Sequence, residues 1–273
     1  MAIYAPRPTS DRLDFETHLK YAALIAKLSN NLEIISSPNS KLPKSEGGKL
    51  KDKIQLVRLT KKSIDQEYEI VCFDEDYSSA SVLWLPVKTY YLIYHLLCIS
   101  DCIISGKMSS LTAGHHECVN AFTKMLESSE IQFNKPLLNL VFGEEILSFT
   151  TQAGEHLKTG VADDTIYRLL MKKVANDKID NYKIVNGLSG RRTKDKIRID
   201  NFKRNIKVSI FDFFHLMRLR TNYRNLNFVD NIPASGTKLY FEKYYISADN
   251  FYKCFTKYIN ELKWHLGKSL RYR

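Results

Sequence analysis

A chain of 273 residues, 44% hydrophobic and 12% aromatic, carries enough apolar side chain for a real core, which excludes global disorder. Its formal net charge of +11 makes polyanions, whether RNA, DNA or anionic lipid, the expected partner class. The charge is uneven, with twelve Lys/Arg against three Asp between Lys183 and Arg224.

The opening, Met-Ala-Ile-Tyr-Ala-Pro-Arg-Pro, lacks a charged stretch followed by an apolar run, so no secretory signal is expected. The five cysteines (72, 98, 102, 118, 254) include no Cys-x-x-Cys pair. Free thiols and a cytoplasmic location are therefore expected. Ser10 or Asp11 caps a helix running to about Leu28, with Phe15, Leu19, Ala22, Ala23 and Ala26 at helical spacing. Residues 36–53, rich in Ser, Pro, Lys and Gly, read as a flexible loop. Ile54 to Thr60 and Tyr68 to Phe73 fit either a small β-hairpin or helical turns. Pro86 opens a helix over Val87–Ile104 that is apolar nearly all round, which demands a central position. Its most apolar run, Thr89 to Ser105, falls short of the roughly 20 residues a bilayer requires, so no membrane partner is expected.

A further helix is expected over His116–Leu126, with Val119, Phe122 and Met125 inward. Asp163 or Asp164 caps another, to about Ala175. The segment from Asn176 to Asn205 is basic, with a Gly-Leu-Ser-Gly-Arg-Arg turn at 187–192. A helix from Ile206 buries Ile210, Phe213, Phe214 and Met217 and ends in an elbow where Arg218, Arg220 and Arg224 crowd around Tyr223. Asn222 is expected to end this helix, turning Arg220 and Tyr223 inward toward His95 and His116 while Arg218 or Arg224 faces solvent. The last helix, from about Lys238, carries Phe241, Tyr244, Ala248, Phe251, Phe255, Tyr258 and Leu262 at steps of three and four.

Arg191, Arg192, Lys194, Lys196, Arg198, Lys203, Arg204 and Lys207 form the densest charge cluster. Together with Arg218 and Arg224 they are the expected contacts to a nucleic-acid backbone. Such runs also occur as plain solvated faces. Metal-free RNA cleavage needs a base, an acid and a cation at the phosphorane. Arg220, Tyr223, His95 and His116 are the catalytic candidates, with His115 and His215 as further imidazoles. Against this, Tyr223 is a poor base at neutral pH and His95 suits a packed core position. His95, Cys98, Cys102, His115, His116 and Cys118 are residue types zinc accepts, but they lack the paired spacing of a structural site. No Gly-x-x-x-x-Gly-Lys-Ser/Thr loop is present. No metal or other cofactor is expected.

Two blocks carry a resemblance. Lys88-Thr-Tyr-Tyr-Leu-Ile-Tyr-His-Leu-Leu runs to Gly106 and is followed by His115 or His116 and Val119 to Phe122. Arg220-Thr-Asn-Tyr223 is followed by a helix through Ala248 and Phe251. Together they resemble HEPN domains, the higher eukaryote and prokaryote nucleotide-binding helical bundles, over 84–128 and 206–262. The resemblance implies a mainly α, antiparallel helical bundle spanning 1–273 as a single domain. Residues 131–205 would form a helical insertion, basic in 183–205. It also implies homodimers and, in many members, metal-independent endoribonucleases of toxin–antitoxin or phage-defence systems, with RNA as substrate and an antitoxin or other protein as partner. The alternative is a non-catalytic module that binds a protein or nucleic acid. A basic helical DNA-binding protein is a third class, weakened by the lack of a clear helix-turn-helix. The sequence departs from the family's Arg-then-His spacing in the elbow. Only Arg12 and His18 show that spacing, outside both matched blocks.

Overall fold

The computed structural model describes residues 15–36, 47–74, 76–77, 81, 84–149, 162–223 and 234–265, with backbone only at 47, 220–223, 234–235 and 262–265. The described chain is mainly helical. Its helices are α1 (Phe15–Ser29), α2 (Gly47–Phe73), α3 (Trp84–Ser105), α4 (His115–Glu127), α5 (Gly143–Ser148), α6 (Asp163–Val185), α7 (Thr193–Asn205), α8 (Ile210–Tyr223) and α9 (Ala234–His265).

α3 lies at the centre, packed by α2, α4, α8 and α9. Leu92, Ile93, Leu96, Leu97, Ile99 and Ile103 point in several directions around it and are all buried, as a helix apolar on every side requires. At 22 residues it is long and apolar enough to cross a membrane by length and composition alone, yet most of its surface is covered by its neighbours. α1 lies along α9, where His18 is fully buried and bonds the Tyr244 hydroxyl at 2.7 Å. Arg12, its sequence companion, is outside the described residues.

Of the two readings of 54–60 and 68–73, the helical one holds and the hairpin is corrected, since one 27-residue helix covers both. That helix begins at Gly47, so the expected loop over 36–53 ends earlier, and 37–46 lie outside the described residues. Leu50, Val57, Ile64 and Val71 recur every seven residues and are all buried. Ile54 and Lys61 fill the intervening rows. Lys61 is buried but paired with Asp65 and with Asp249 of α9, at 3.0 Å for the latter. Glu67, also buried, meets Lys88 of α3 at 2.6 Å. Each of these buried charges therefore has a partner, as burial demands.

The one two-stranded sheet among the described residues pairs Val141–Phe142 (β1) antiparallel with Lys207–Val208 (β2), in the register Val141 to Val208. It lies far along the chain from the N-terminal stretch that a hairpin would occupy. β2 takes the expected start of the helix from Ile206, so α8 begins at Ile210. The Ser209 N–H donates to the Asp212 carboxylate at 2.8 Å, and the same carboxylate meets Lys178 of α6 at 2.7 Å. The 131–205 segment forms β1 and α5–α7 and shares the main core: Leu170, Met171 and Val174 of α6 are buried in the same cluster as α3 and α9. α6 continues to Val185, ten residues past its expected end. At Gly143 the backbone of α5 lies directly against that of α7, because a Cβ there would fall 2.0 Å from the Lys203 carbonyl oxygen.

Candidate functional site

Four helices converge on a half-buried knot of aromatic and cationic side chains. α3 supplies Tyr90, Tyr91, Tyr94 and His95, which lie within two turns of one another. α4 supplies His115, its first residue, after the N-cap Gly114. α8 supplies His215 and Arg218, three residues apart and hence on one face. α2 brings Lys53.

The Tyr90 hydroxyl is the hub. It lies 2.8 Å from His115 Nδ1 and 3.2 Å from His215 Nδ1, and the two imidazole centroids are 6.5 Å apart. The His115 ring packs against Tyr90, Tyr91 and Tyr94 at centroid distances of 5.4, 5.5 and 4.4 Å. The Tyr94 hydroxyl donates to the Ala113 carbonyl and so ties α3 to the turn before α4. Arg218 donates to the Tyr91 hydroxyl at 3.4 Å and lies 5.8 and 5.7 Å from the Tyr90 and Tyr91 ring centres. Lys53 Nζ sits 5.2 Å over the Tyr94 ring. Beneath the knot, the Cys98 and Cys118 sulfurs are 3.2 Å apart, and this hydrogen bond, with burial, pushes the Cys118 thiol up.

A phenol has one proton, and Tyr90 has no other hydrogen-bond partner among the described residues. When it donates to one imidazole Nδ1, the other imidazole must donate its own Nδ1–H back. The first ring then carries its remaining proton on Nε2, and the second presents a bare Nε2. The hydroxyl thereby enforces opposite tautomers on His115 and His215, one a proton donor and the other a base at Nε2. Burial holds Tyr90 protonated by pushing its pKa up.

Burial, then Arg218, lower His215 to about 4. Burial, then Lys53, lower His95 to about 4, and burial with Arg218 and Lys53 lower His115. These rings are neutral near pH 7. The unfolded chain binds more protons than the folded one between the two pKa values. Stability is therefore fully present above the ordinary histidine value of 6.5 and lost as pH falls toward about 4. The denaturation midpoint is expected to drop across this window, and His95→Gln/His215→Gln should show a shallower drop. An equally steep drop in the double variant counts against the assignment.

The sequence candidates are partly gathered here. His95 lies in the knot beside Tyr91 and Tyr94, with its Nδ1 buried and without a hydrogen-bond partner among the described residues. His116 is exposed, and the neighbouring His115, in helical phase with the buried Val119, Phe122 and Leu126, makes the contact to Tyr90. α8 runs helical through Tyr223, one residue past the ending expected at Asn222, and Arg218 turns inward onto Tyr91. The side chains of Arg220 and Tyr223, and all of Arg224, are outside the described residues. Sequence reasoning misses Lys53 and Tyr90. A hydroxyl shared by two imidazoles is unreadable there because its partners lie 25 and 125 residues away.

The basic cluster lies elsewhere, on α7 and the turn before it. Arg191, Arg192, Lys194, Lys196, Arg198 and Arg204 are exposed there. Asp195 accepts from the Ser189 N–H at 3.1 Å, and Arg198 donates to Asn186 at 3.3 Å, so the turn is held rigid beneath these cations. Lys203 pairs with Asp200 at 3.3 Å, and Lys207 pairs with Glu127 across to α4. Arg191→Ala/Arg192→Ala/Lys194→Ala/Lys196→Ala is expected to weaken single-stranded RNA binding at every sequence. The slope of log affinity against log salt should flatten by roughly 0.7 for each phosphate that the variant no longer neutralises. An unchanged affinity removes the patch from the interface. Among the described residues, no three His, Cys, Asp or Glu side chains converge in an arrangement that could hold a metal.

No family model, no curated protein and no solved structure matches this chain.

Proposed function

We propose that the protein engages RNA through the α7 cations and cleaves its backbone, without a metal, at the Tyr90–His115–His215–Arg218 knot. The observation that supports this most directly is the shared Tyr90 hydroxyl, which presents one basic Nε2 and one protonated Nε2 at neighbouring imidazoles. RNA transesterification needs that pair: a base to take the 2′-OH proton and an acid to give one to the departing 5′ oxygen. Arg218 supplies the fixed positive charge that the phosphorane requires. The resemblance to HEPN domains agrees with this chemistry and extends it to an effector of a toxin–antitoxin or phage-defence system, acting as a homodimer with a protein antitoxin as partner. The second reading is a non-catalytic RNA- or protein-binding module. It draws on the same tether, because a hydroxyl hydrogen-bonded on both sides also serves simply to lock three helices together.

Incubating the purified protein with total RNA, with and without EDTA, separates the two. Cleavage that persists in EDTA and leaves 2′,3′-cyclic phosphate ends is the expected result. RNA left intact with binding retained favours the second reading.

A further inference from the structure

Two cations and three neutral imidazoles share the knot, and the Asp101 carboxylate, like Lys53, acts on the Cys98 and Cys118 thiols beneath it. Lys53 forms no ion pair among the described residues. Glu117, the nearest acid in sequence to His115, has its carboxylate turned to the Gly114 N–H at 3.0 Å. Lys53 lies over Tyr94 and Arg218 beside Tyr90 and Tyr91, and His115 packs among all three rings. Both cations therefore stand against the ring shell of His115. The N-terminus of α4 opens at the same residue, with a glycine N-cap that has no side chain to cover its first N–H groups. Both cations lie near enough to His115 for their charges to hold its imidazole below the ordinary range.

We propose that Lys53 and Arg218 are the two arms of a phosphate-binding site centred on His115, with Lys53 as a positioning residue that seats one phosphate of the bound strand. This rests on the RNA reading above for its ligand, but its geometry stands independently of cleavage. Lys53 contributes binding and alignment, and proton transfer stays with the imidazoles. Nothing in the local pattern points to it, because Lys53 lies on α2 in a stretch whose composition reads as a loop.

Inorganic phosphate is the probe. Titration of the full chain, followed by calorimetry and by the backbone amide shifts of Gly114 and His115, is expected to show saturable binding that moves both amides. Lys53→Ala should bind about tenfold more weakly, as loss of one charged hydrogen bond implies. Lys53→Arg should restore most of it. Lys53 is half-exposed, so both variants should keep the wild-type melting temperature, and Lys53→Gln provides a second check on folding. Unchanged phosphate affinity in Lys53→Ala, or amide shifts that avoid Gly114 and His115, overturns the site. A 2′-deoxy trinucleotide should compete with phosphate and tie the site to a nucleic-acid backbone. Lys53-dependent phosphate binding without competition or RNA cleavage keeps the anion site and removes the nuclease reading. Cleavage by the wild type with phosphate affinity equal in Lys53→Ala does the reverse.

Discussion

Phe211→Ala is expected to lower the unfolding free energy by about 3–5 kcal/mol, the range for removing a fully buried aromatic ring. Phe211 is the ring where the described helices meet. It stands edge-on to Phe122 of α4 at 4.7 Å, to Phe251 of α9 at 5.4 Å and to Phe255 at 6.3 Å, and stacks on Phe133 at 5.6 Å. It is 1% exposed, so truncation leaves a cavity walled by four rings from α4, α9 and the segment after α4, which cannot all close inward. Edge-to-face aromatic pairs add a further contribution beyond area burial. Phe211→Leu should cost clearly less, because it refills most of the space. The check is urea denaturation of both variants. A loss below about 1 kcal/mol for the alanine variant would mean that the hub does not hold α4, α8 and α9 together.

Some elements are plain in the sequence and others are hidden for physical reasons. α3 is legible because its apolar residues point in every direction, so any neighbour must bury it. The α9 seam of Phe241, Tyr244, Ala248, Phe251 and Phe255 is legible because its steps of three and four match one helical face. α2 is not. Its buried stripe at 50, 57, 64 and 71 is interrupted by Lys61, and Glu67 is buried beside it. Both look like solvent residues until Asp249 and Lys88 arrive from α9 and α3. Phe211 escapes notice for the opposite reason. Ile210, Phe211, Phe213 and Phe214 are all buried, so no stripe singles one out. The β1–β2 pairing is two residues long and joins positions 141 and 208, too short for a local alternation. At the candidate site the imidazoles are visible as residue types, and His115 stands four, seven and eleven residues before the buried Val119, Phe122 and Leu126, on their face. What stays hidden is that α3 and α8 bring Tyr90 and His215 to it.

Arg218→Ala is expected to reduce RNA cleavage by about 100- to 1,000-fold, the effect of removing one preorganised charge from a developing oxyanion. The fold should survive, because Arg218 is half-buried and its contacts to the tyrosines, a 3.4 Å hydrogen bond to Tyr91 and the faces of two rings, lie at the rim of the core. Arg218→Lys keeps the charge but loses the planar fork that lies over the rings, and should recover only part of the rate. Tyr90→Phe separates charge from proton chemistry. It removes one oxygen, keeps the ring, and frees His115 and His215 to adopt the same tautomer. It should lower kcat with little change in KM, whereas loss of Arg218 acts on transition-state charge and leaves the tautomers paired. Arg220→Ala, at the arginine that the sequence alone favours, becomes the comparison within the same helix. If Arg218→Ala cleaves at the wild-type rate while its melting temperature falls, the guanidinium is a structural clasp on Tyr90 and Tyr91, and the knot is a helix lock with no catalytic role. A rate loss at unchanged melting temperature, absent in Arg220→Ala, places the phosphorane charge beside Arg218, between the two imidazoles that Tyr90 sets in opposite protonation states.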